Sequence, residues 1–344
     1  MKKSKVLVLG YFGYQTDQLD GQTIKSRSIY NLLRSKQHEY FASVDFFDTQ
    51  IFKLSKFNLL KMIGAILKCN ILIYIPAQNN LRFGFPFIYF LTKLKGIKLH
   101  YIVVGGWLIE FLRNKPLHSK LLKKINGVYP QSNLLTDGLK KEYEFNNVRT
   151  LHNYRVHKYD AQINPVLDII RIVFMARIHP MKGVKSIFRL DKEIRRRDLR
   201  NIVIDLYGPV FPSYQEEFSS HVKASETVNY KGILQPGEIY QTLNKYDLMV
   251  LPTKYFTEGF PGSILDAYIA GIPVIVSRWK HAEDFVENGK TGIIYEFNNE
   301  QDFFDSVFRL IDNPKEIFKM KKGALSKSDE YSAESAWNIL KAGF

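Results

Sequence analysis

The stretch "TEGFPGSILDAYIAGIPVIVS", Thr257 to Ser277, sets an acidic residue before a Gly-Phe-Pro-Gly turn and a second one eight positions later. A Gly-Ile-Pro break and a β-branched run follow. Just before it lies YDLMVLP (246–252), a short apolar run of strand character. Strand, tight turn, helix, break and strand together make a βαβ unit, the element of a parallel sheet. The spacing predicts that the helix begins near Ser263, whose hydroxyl would cap it, with Asp266 in the first turn. An acidic residue there offsets the helix dipole by about 0.3–1 kcal/mol. Glu258, ahead of the turn, has no such structural use. A carboxylate beside a helix N-terminus reads better as an acceptor for hydroxyl groups, and sugars are made of hydroxyls.

The same alternation runs outward in both directions. Strand-like runs are KVLVLG (5–10), NILIYI (70–75), KLHYIVVG (98–105) and GVYPQS (127–132) in the first half. The second half has DIIRIVFMA (168–176), NIVIDLYG (201–208), TVNYKG (227–232), IPVIVS (272–277) and TGIIYEF (291–297). Helical patterns lie between them, among them VKSIFRLDKEIRR (184–196) and GEIYQTLNKY (237–246). The polar stretch HNYRVHKYDAQINPVLD (152–168) has no periodicity and reads as a linker. A chain of 344 residues suits two domains of roughly 150 residues each. The expectation is an α/β protein of two Rossmann-like domains, 1–155 and 156–325, with a final helix over 326–344 completing the first. Ligands belong at the carboxyl ends of the strands.

Composition narrows the function. Hydrophobic residues at 45% and charged residues at 24% are globular values. Cys69 is the single cysteine, which excludes an intramolecular disulfide or a cysteine metal cluster and points to a cytoplasmic location. The basic, then apolar N-terminus (MKKSKVLVLGYFGYQ) reads as a first strand, not a signal peptide. No apolar run reaches the roughly 18 residues of a transmembrane helix. The net charge of +15 is the outlier: thirteen Lys/Arg stand against Glu110 alone between Ile51 and Gly127. A solvated face is the ordinary explanation of such a run. Here the lysines alternate with aliphatics, as in KFNLLKMIGAILK (56–68), which reads as a helix carrying Leu59, Leu60, Ile63 and Leu67 near one face. That favours an anionic membrane surface. No nucleic-acid-binding motif accompanies it.

A second cluster of chemistry is VFMARIHPMKGVKSIF (173–188), where Arg177 and Lys182-Gly183 stand between a strand and a helix. Two cations and a helix N-terminus suit a diphosphate. From about Ile170 to Phe304, the Arg-x4-Lys-Gly of Arg177, Lys182 and Gly183, the Glu258-Gly-Phe, the acidic residue eight on, the Ala-Gly-Ile-Pro-Val-Ile (270–275) and ENGKTGIIYEFNN (287–299) occur in order. In this the chain resembles the retaining, nucleotide-sugar-dependent glycosyltransferases of family 4. LDGQTIKSRSIYNLL (19–33) resembles the bacterial surface-polysaccharide members, among them capsular ones.

The resemblance implies a GT-B fold, two facing Rossmann-like domains about a deep cleft, acceptor-side first and donor-side second. It implies that Arg177 and Lys182 neutralise the donor's diphosphate and that Glu258 attends the transferred sugar. Asp266 would take the ribose hydroxyls. Phe260, Gly262 and Ser263 would face the sugar or phosphates, and Gly208 and Ile233 the nucleoside. The loop of Gly13, Asp20, Gly21 and Gln22, with the turn Gly105, Gly106 and Trp107, would approach the acceptor. The implied donor is a nucleotide-sugar co-substrate such as a UDP- or GDP-sugar, with no cofactor. No Asp-x-Asp occurs, so no metal is expected. The implied acceptor is a lipid-linked glycan at the inner face of the bacterial membrane.

Three departures stand out. The second acidic residue is Asp266 where the family has glutamate, Pro261 replaces a frequent glycine, and Gly105 aligns with a histidine of many members. The last leaves a second reading, a donor-binding pseudoenzyme or partner subunit. A nucleic-acid acceptor and a sugar-nucleotide epimerase find less support. The loop histidines His118, His152, His157 and His179 read as surface residues.

Overall fold

The computed structural model describes every residue except Met1, Lys2, the segment 17–20, Leu54, Lys56, His157 and Lys158. The chain divides into two compact units. One is Met1–Val156 with Tyr331–Phe344, and the other is His157–Glu330.

The first unit holds β1 (Ser4–Gly10), β2 (Phe41–Asp48), β3 (Ile71–Ile75), β4 (Lys98–Ile102) and β5 (Gly127–Tyr129). They form one parallel sheet in the order β2-β1-β3-β4-β5. Both faces are covered, so the central strands are apolar throughout. In β1, Leu7 and Leu9 join the core under the helices Asn58–Leu67 and Gln78–Leu94, while Val6 and Val8 join the core under Gly21–Ser35 and Ala333–Lys341. The last of these brings Trp337, 2% exposed, against Tyr40 and Phe41. The expected single helix over 326–344 is therefore two. Residues up to Ser328 finish the helix Pro314–Ser328 in the second unit, and the chain re-enters the first at Tyr331.

Helix Gly21–Ser35 is moored to the end of this unit's main segment by Lys25. Its Nζ, buried with the rest of the side chain, donates to the carbonyls of Leu151 (3.3 Å) and His152 (3.2 Å). Burial, with a smaller push from Arg155, lowers the Lys25 ammonium from 10.5 to about 7. Below that pH the ammonium is charged in both folded and unfolded chains, and the folded state carries the full cost of burying it. Between about 7 and 10.5 the unfolded chain holds the extra proton, so this group makes stability rise with pH. Lys25→Met is expected to have its most favourable effect on stability, relative to wild type, at pH 6 and to lose that advantage by pH 10. Urea midpoints at the two pH values measure this, and a difference that does not vary with pH would refute it.

The second unit holds β6 (Ile170–Met175), β7 (Ile202–Tyr207), β8 (Val228–Tyr230), β9 (Leu248–Leu251), β10 (Val274–Ser277) and β11 (Gly292–Tyr295). They are parallel, in the order β11-β10-β9-β6-β7-β8. β6 and β9 are neighbours, so the two loops singled out in the sequence leave the sheet side by side. Helix Val184–Arg196 has the bounds the sequence indicates, and the expected helix over 237–246 is only Ile239–Leu243. A buried pair, Lys321 Nζ to Asp247 Oδ1 at 2.8 Å, ties Pro314–Ser328 to the entrance of β9. The same ammonium donates to the Asn164 carbonyl at 3.2 Å.

Candidate active site

The turn after β6 and the turn after β9 pack backbone against backbone. Gly183 has φ 78°, and a Cβ on it would lie 1.8 Å from the Pro252 carbonyl oxygen. The Lys254 amide donates to the Met181 carbonyl at 2.8 Å, closing the contact from the other side. This approach sets Lys182 Nζ 2.5 Å from Glu258 Oε2, with both side chains largely shielded. Thr253 Oγ1 donates to the same carboxylate oxygen at 3.1 Å, and the ammonium lies 5.4 Å from the centre of the Tyr255 ring. A lysine ammonium has three donors. One is taken by Glu258, leaving others for a second anion. Arg177 is exposed at the start of the same loop and makes no ion pair with any described residue.

His179, which the sequence presents as a surface histidine, belongs to this cluster. Its Nδ1 accepts from the Met181 amide at 3.1 Å, which leaves Nε2 to carry the proton in the neutral ring. Its ring meets Phe211 edge-on at 4.7 Å and stacks on Tyr255 at 6.2 Å. Partial burial, then Arg177 and Lys182, hold the imidazole below its usual range, so it stays neutral at pH 7. The signal that could have found it is its place inside the Arg177–Lys182 segment, where two cations suppress its charge.

The other positions expected to meet the donor lie along the same carboxyl edge. Gly208 follows β7 with φ 139°, and a Cβ there would lie 1.9 Å from the Ala176 carbonyl oxygen, so only glycine fits. Ile233, 55% exposed, follows β8. Helix Gly262–Ile269 opens with Pro261 at its cap position and no side-chain cap. Ser263 is thus inside the first turn instead of capping it, because Pro261 already supplies the extended geometry two residues earlier. Asp266 is the fifth residue of the helix, beyond its first turn, and is 5% exposed. Phe260 turns inward, its ring stacked on that of Phe285 at 4.1 Å.

In the first unit, Asp48 at the end of β2 organises the loop after β1. Its carboxylate accepts from the amides of Phe12 (3.0 Å), Tyr14 (3.4 Å) and Gln50 (2.9 Å). Gly13 takes φ 68° within that loop. Gly21 opens the helix Gly21–Ser35, and Gln22 Nε2 donates to the Ile75 carbonyl at 3.4 Å. Asp20 lies outside the described residues. Gly105, Gly106 and Trp107 form the turn after β4. Gly105 has φ 83°, and a Cβ would lie 2.9 Å from Trp107 Cδ1. A side chain at this position meets left-handed backbone strain and must displace the Trp107 ring. Gly105→His is expected to cost about 1–3 kcal/mol of stability and to leave any transfer activity no higher. A chemical melt and an activity assay check both, and a gain in activity would overturn the expectation.

Residues 157–327 match the family described as glycosyl transferases group 1. That match falls on the second unit, which therefore carries a group 1 glycosyl transferase domain. Over 235 residues, 68% of the chain, it is 23% identical to the capsular polysaccharide biosynthesis glycosyltransferase CapM of Staphylococcus aureus, covering 59% of that protein. Over 161 residues, 46% of the chain, it is 26% identical to the N,N'-diacetylbacillosaminyl-diphospho-undecaprenol alpha-1,3-N-acetylgalactosaminyltransferase of Campylobacter jejuni, covering 40% of it. The chain spans less than two thirds of the length of the curated relatives it matches. The solved structure of Anabaena Alr3699/HepE in complex with UDP-glucose aligns with a TM-score of 0.74 over 98% of this chain and 99% of that one, at 14% identity. The fold is accordingly of the GT-B type, two α/β units each built on a parallel sheet. Among its described residues no group of three or more His, Cys, Asp or Glu side chains is placed to hold a metal ion. No described helix is long and apolar enough to cross a membrane.

Proposed function

We propose that this chain transfers a sugar, with retention of configuration, from a nucleoside-diphosphate sugar to a lipid-linked glycan acceptor in surface polysaccharide synthesis. The observation that carries the reading is the Lys182–Glu258 pair at the carboxyl edge of β6 and β9, with Arg177 exposed at the start of the loop that holds Lys182. Lys182 and Arg177 offer fixed positive charge where a diphosphate leaves, and stabilising charge as it develops is the largest lever such a site has. Glu258, oriented by Lys182 and Thr253, accepts from a sugar hydroxyl or faces the positive charge growing at the anomeric carbon. The acceptor hydroxyl then attacks from the leaving group's own face and passes its proton to the departing phosphate, so no second carboxylate base is required. Asp266 serves the ribose, Gly208 and Ile233 the nucleoside, and the backbone at Phe260, Gly262 and Ser263 the sugar and phosphates. Gly13, Gly21, Gln22 and the Gly105–Trp107 turn serve the acceptor, and the reaction needs no metal.

The relative from Campylobacter jejuni, named for a diphospho-undecaprenol-linked substrate, supports the lipid-linked acceptor. CapM supports surface polysaccharide. The basic first unit supports a peripheral place on the inner face of the membrane. The test is a panel of UDP-, GDP- and other nucleotide-sugars scored by thermal stabilisation. A true donor at 100 times its Kd adds about 2.7 kcal/mol. No stabilisation by any member would refute the donor site. Stabilisation without hydrolysis or transfer would favour the pseudoenzyme reading that Gly105 raises.

A further inference from the structure

The first unit carries an apolar cavity of about 230 Å³ at the carboxyl ends of β1 and β3, between the helices Asn58–Leu67 and Gln78–Leu94. Leu9, Met62 and Ile75 line its buried part, and Leu59, Phe83 and Phe87 stand exposed among its lining residues. The apolar surface continues past the cavity: Leu60, Phe90 and Leu94 are 68%, 60% and 81% exposed. Helix Asn58–Leu67 meets the sheet core through Met62 and Ile66, and the apolar face of Leu59, Leu60 and Leu67 is left outward. An exposed patch of this kind on a folded unit marks a binding surface.

Charge states what the surface binds. Lys61, Lys68, Arg82, Lys93 and Lys95 are exposed on or beside the two helices, and no acidic residue occurs from Ile51 to Ile109. A purely apolar ligand gains nothing from these cations, and a phosphate alone gains nothing from the cavity. An anionic amphiphile uses both. The cavity also adjoins the acceptor-side loop, because Gln22 donates to the carbonyl of Ile75, a lining residue.

We infer that this cavity holds one hydrocarbon tail of the phosphorylated lipid carrier that bears the acceptor glycan, its phosphate held among the cations of the two helices. The inference rests on the glycosyltransfer reading above and names the acceptor's anchoring subsite.

The probe is farnesyl phosphate, titrated into the full chain. Gly84→Leu fills the cavity from within the helix Gln78–Leu94, where a Cβ meets only the Tyr74 hydroxyl at 3.4 Å. Leu59→Trp fills it from the exposed side and covers the case in which the first variant is poorly folded. Saturable one-to-one binding, weakened at least tenfold in both variants while binding to phosphatidylglycerol vesicles persists, is the expected result. Unsaturable binding, or equal affinity in well-folded variants, overturns the inference. So does lysophosphatidylglycerol that displaces the probe at equal concentration, since the cavity would then take any bilayer tail. Thermal stabilisation by nucleotide-sugars, read on the same samples, separates the two proposals. Donor response without tail binding sinks the cavity alone, whereas tail binding with no donor response sinks the glycosyltransfer reading.

Discussion

Lys182→Ala is expected to lower kcat/KM for sugar transfer by about 10² to 10³, the cost of removing one preorganised donor from developing charge, with the fold intact. The ammonium is the only group within ion-pair distance of Glu258 among the described residues. Its loss therefore does two things at once. The diphosphate loses a cation, and Glu258 loses the partner that fixes its carboxylate, keeping only the Thr253 hydroxyl at 3.1 Å. Because the two residues share one interaction, Glu258→Gln and the double variant should be strongly non-additive: the second substitution costs much less once the first is made. Lys182→Arg is not expected to rescue, since the longer, planar guanidinium does not place its charge where the ammonium meets Glu258. The measurement is steady-state kinetics with the best donor from the panel, alongside circular dichroism. Activity within tenfold of wild type, in a folded variant, would remove Lys182 from the chemistry.

Both members of that pair are legible in the amino-acid order because their surroundings are local: a strand, a cation with glycine and a helix, then a second strand with a carboxylate and another helix. What the sequence does not carry is that β6 and β9 lie next to each other, and only this brings Lys182 to Glu258 across 76 residues. The second unit reads clearly since its strands are buried on both faces and appear as apolar runs. β2 escapes such a reading because it is an edge strand whose buried residues, Phe41, Val44 and Phe47, fall every third position and break the two-residue period. Helix Asn58–Leu67 shows in the sequence, but it is apolar on two sides. Nothing in the pattern fixes which side meets the sheet, and the side with more leucine faces outward. His179 is half legible: the cations Arg177 and Lys182 are its neighbours in the chain, whereas the rings packed against it, Phe211 and Tyr255, are distant in sequence.

Gly183→Ala should do more damage than its single methyl suggests, and a matched control shows why. Gly183 and Gly289 have nearly the same backbone, φ 78° and 77°, so alanine meets similar left-handed strain at either, about 1–2 kcal/mol. Around Gly289 a Cβ would meet nothing within 4 Å, whereas at Gly183 it would sit 1.8 Å from the Pro252 oxygen and 2.6 Å from its carbonyl carbon. Those atoms are backbone and cannot swing aside as a side chain can, so the exits of β6 and β9 must part. The expected result is a loss of stability beyond the Gly289→Ala value by at least about 2 kcal/mol. Transfer activity should also fall in Gly183→Ala at temperatures where the variant is still folded, because Lys182 and Glu258 separate with the strands that carry them. Urea melts of both variants, with activity measured well below each midpoint, make the comparison. Equal losses at the two glycines would mean that the close approach of the loops is not what holds the pair together.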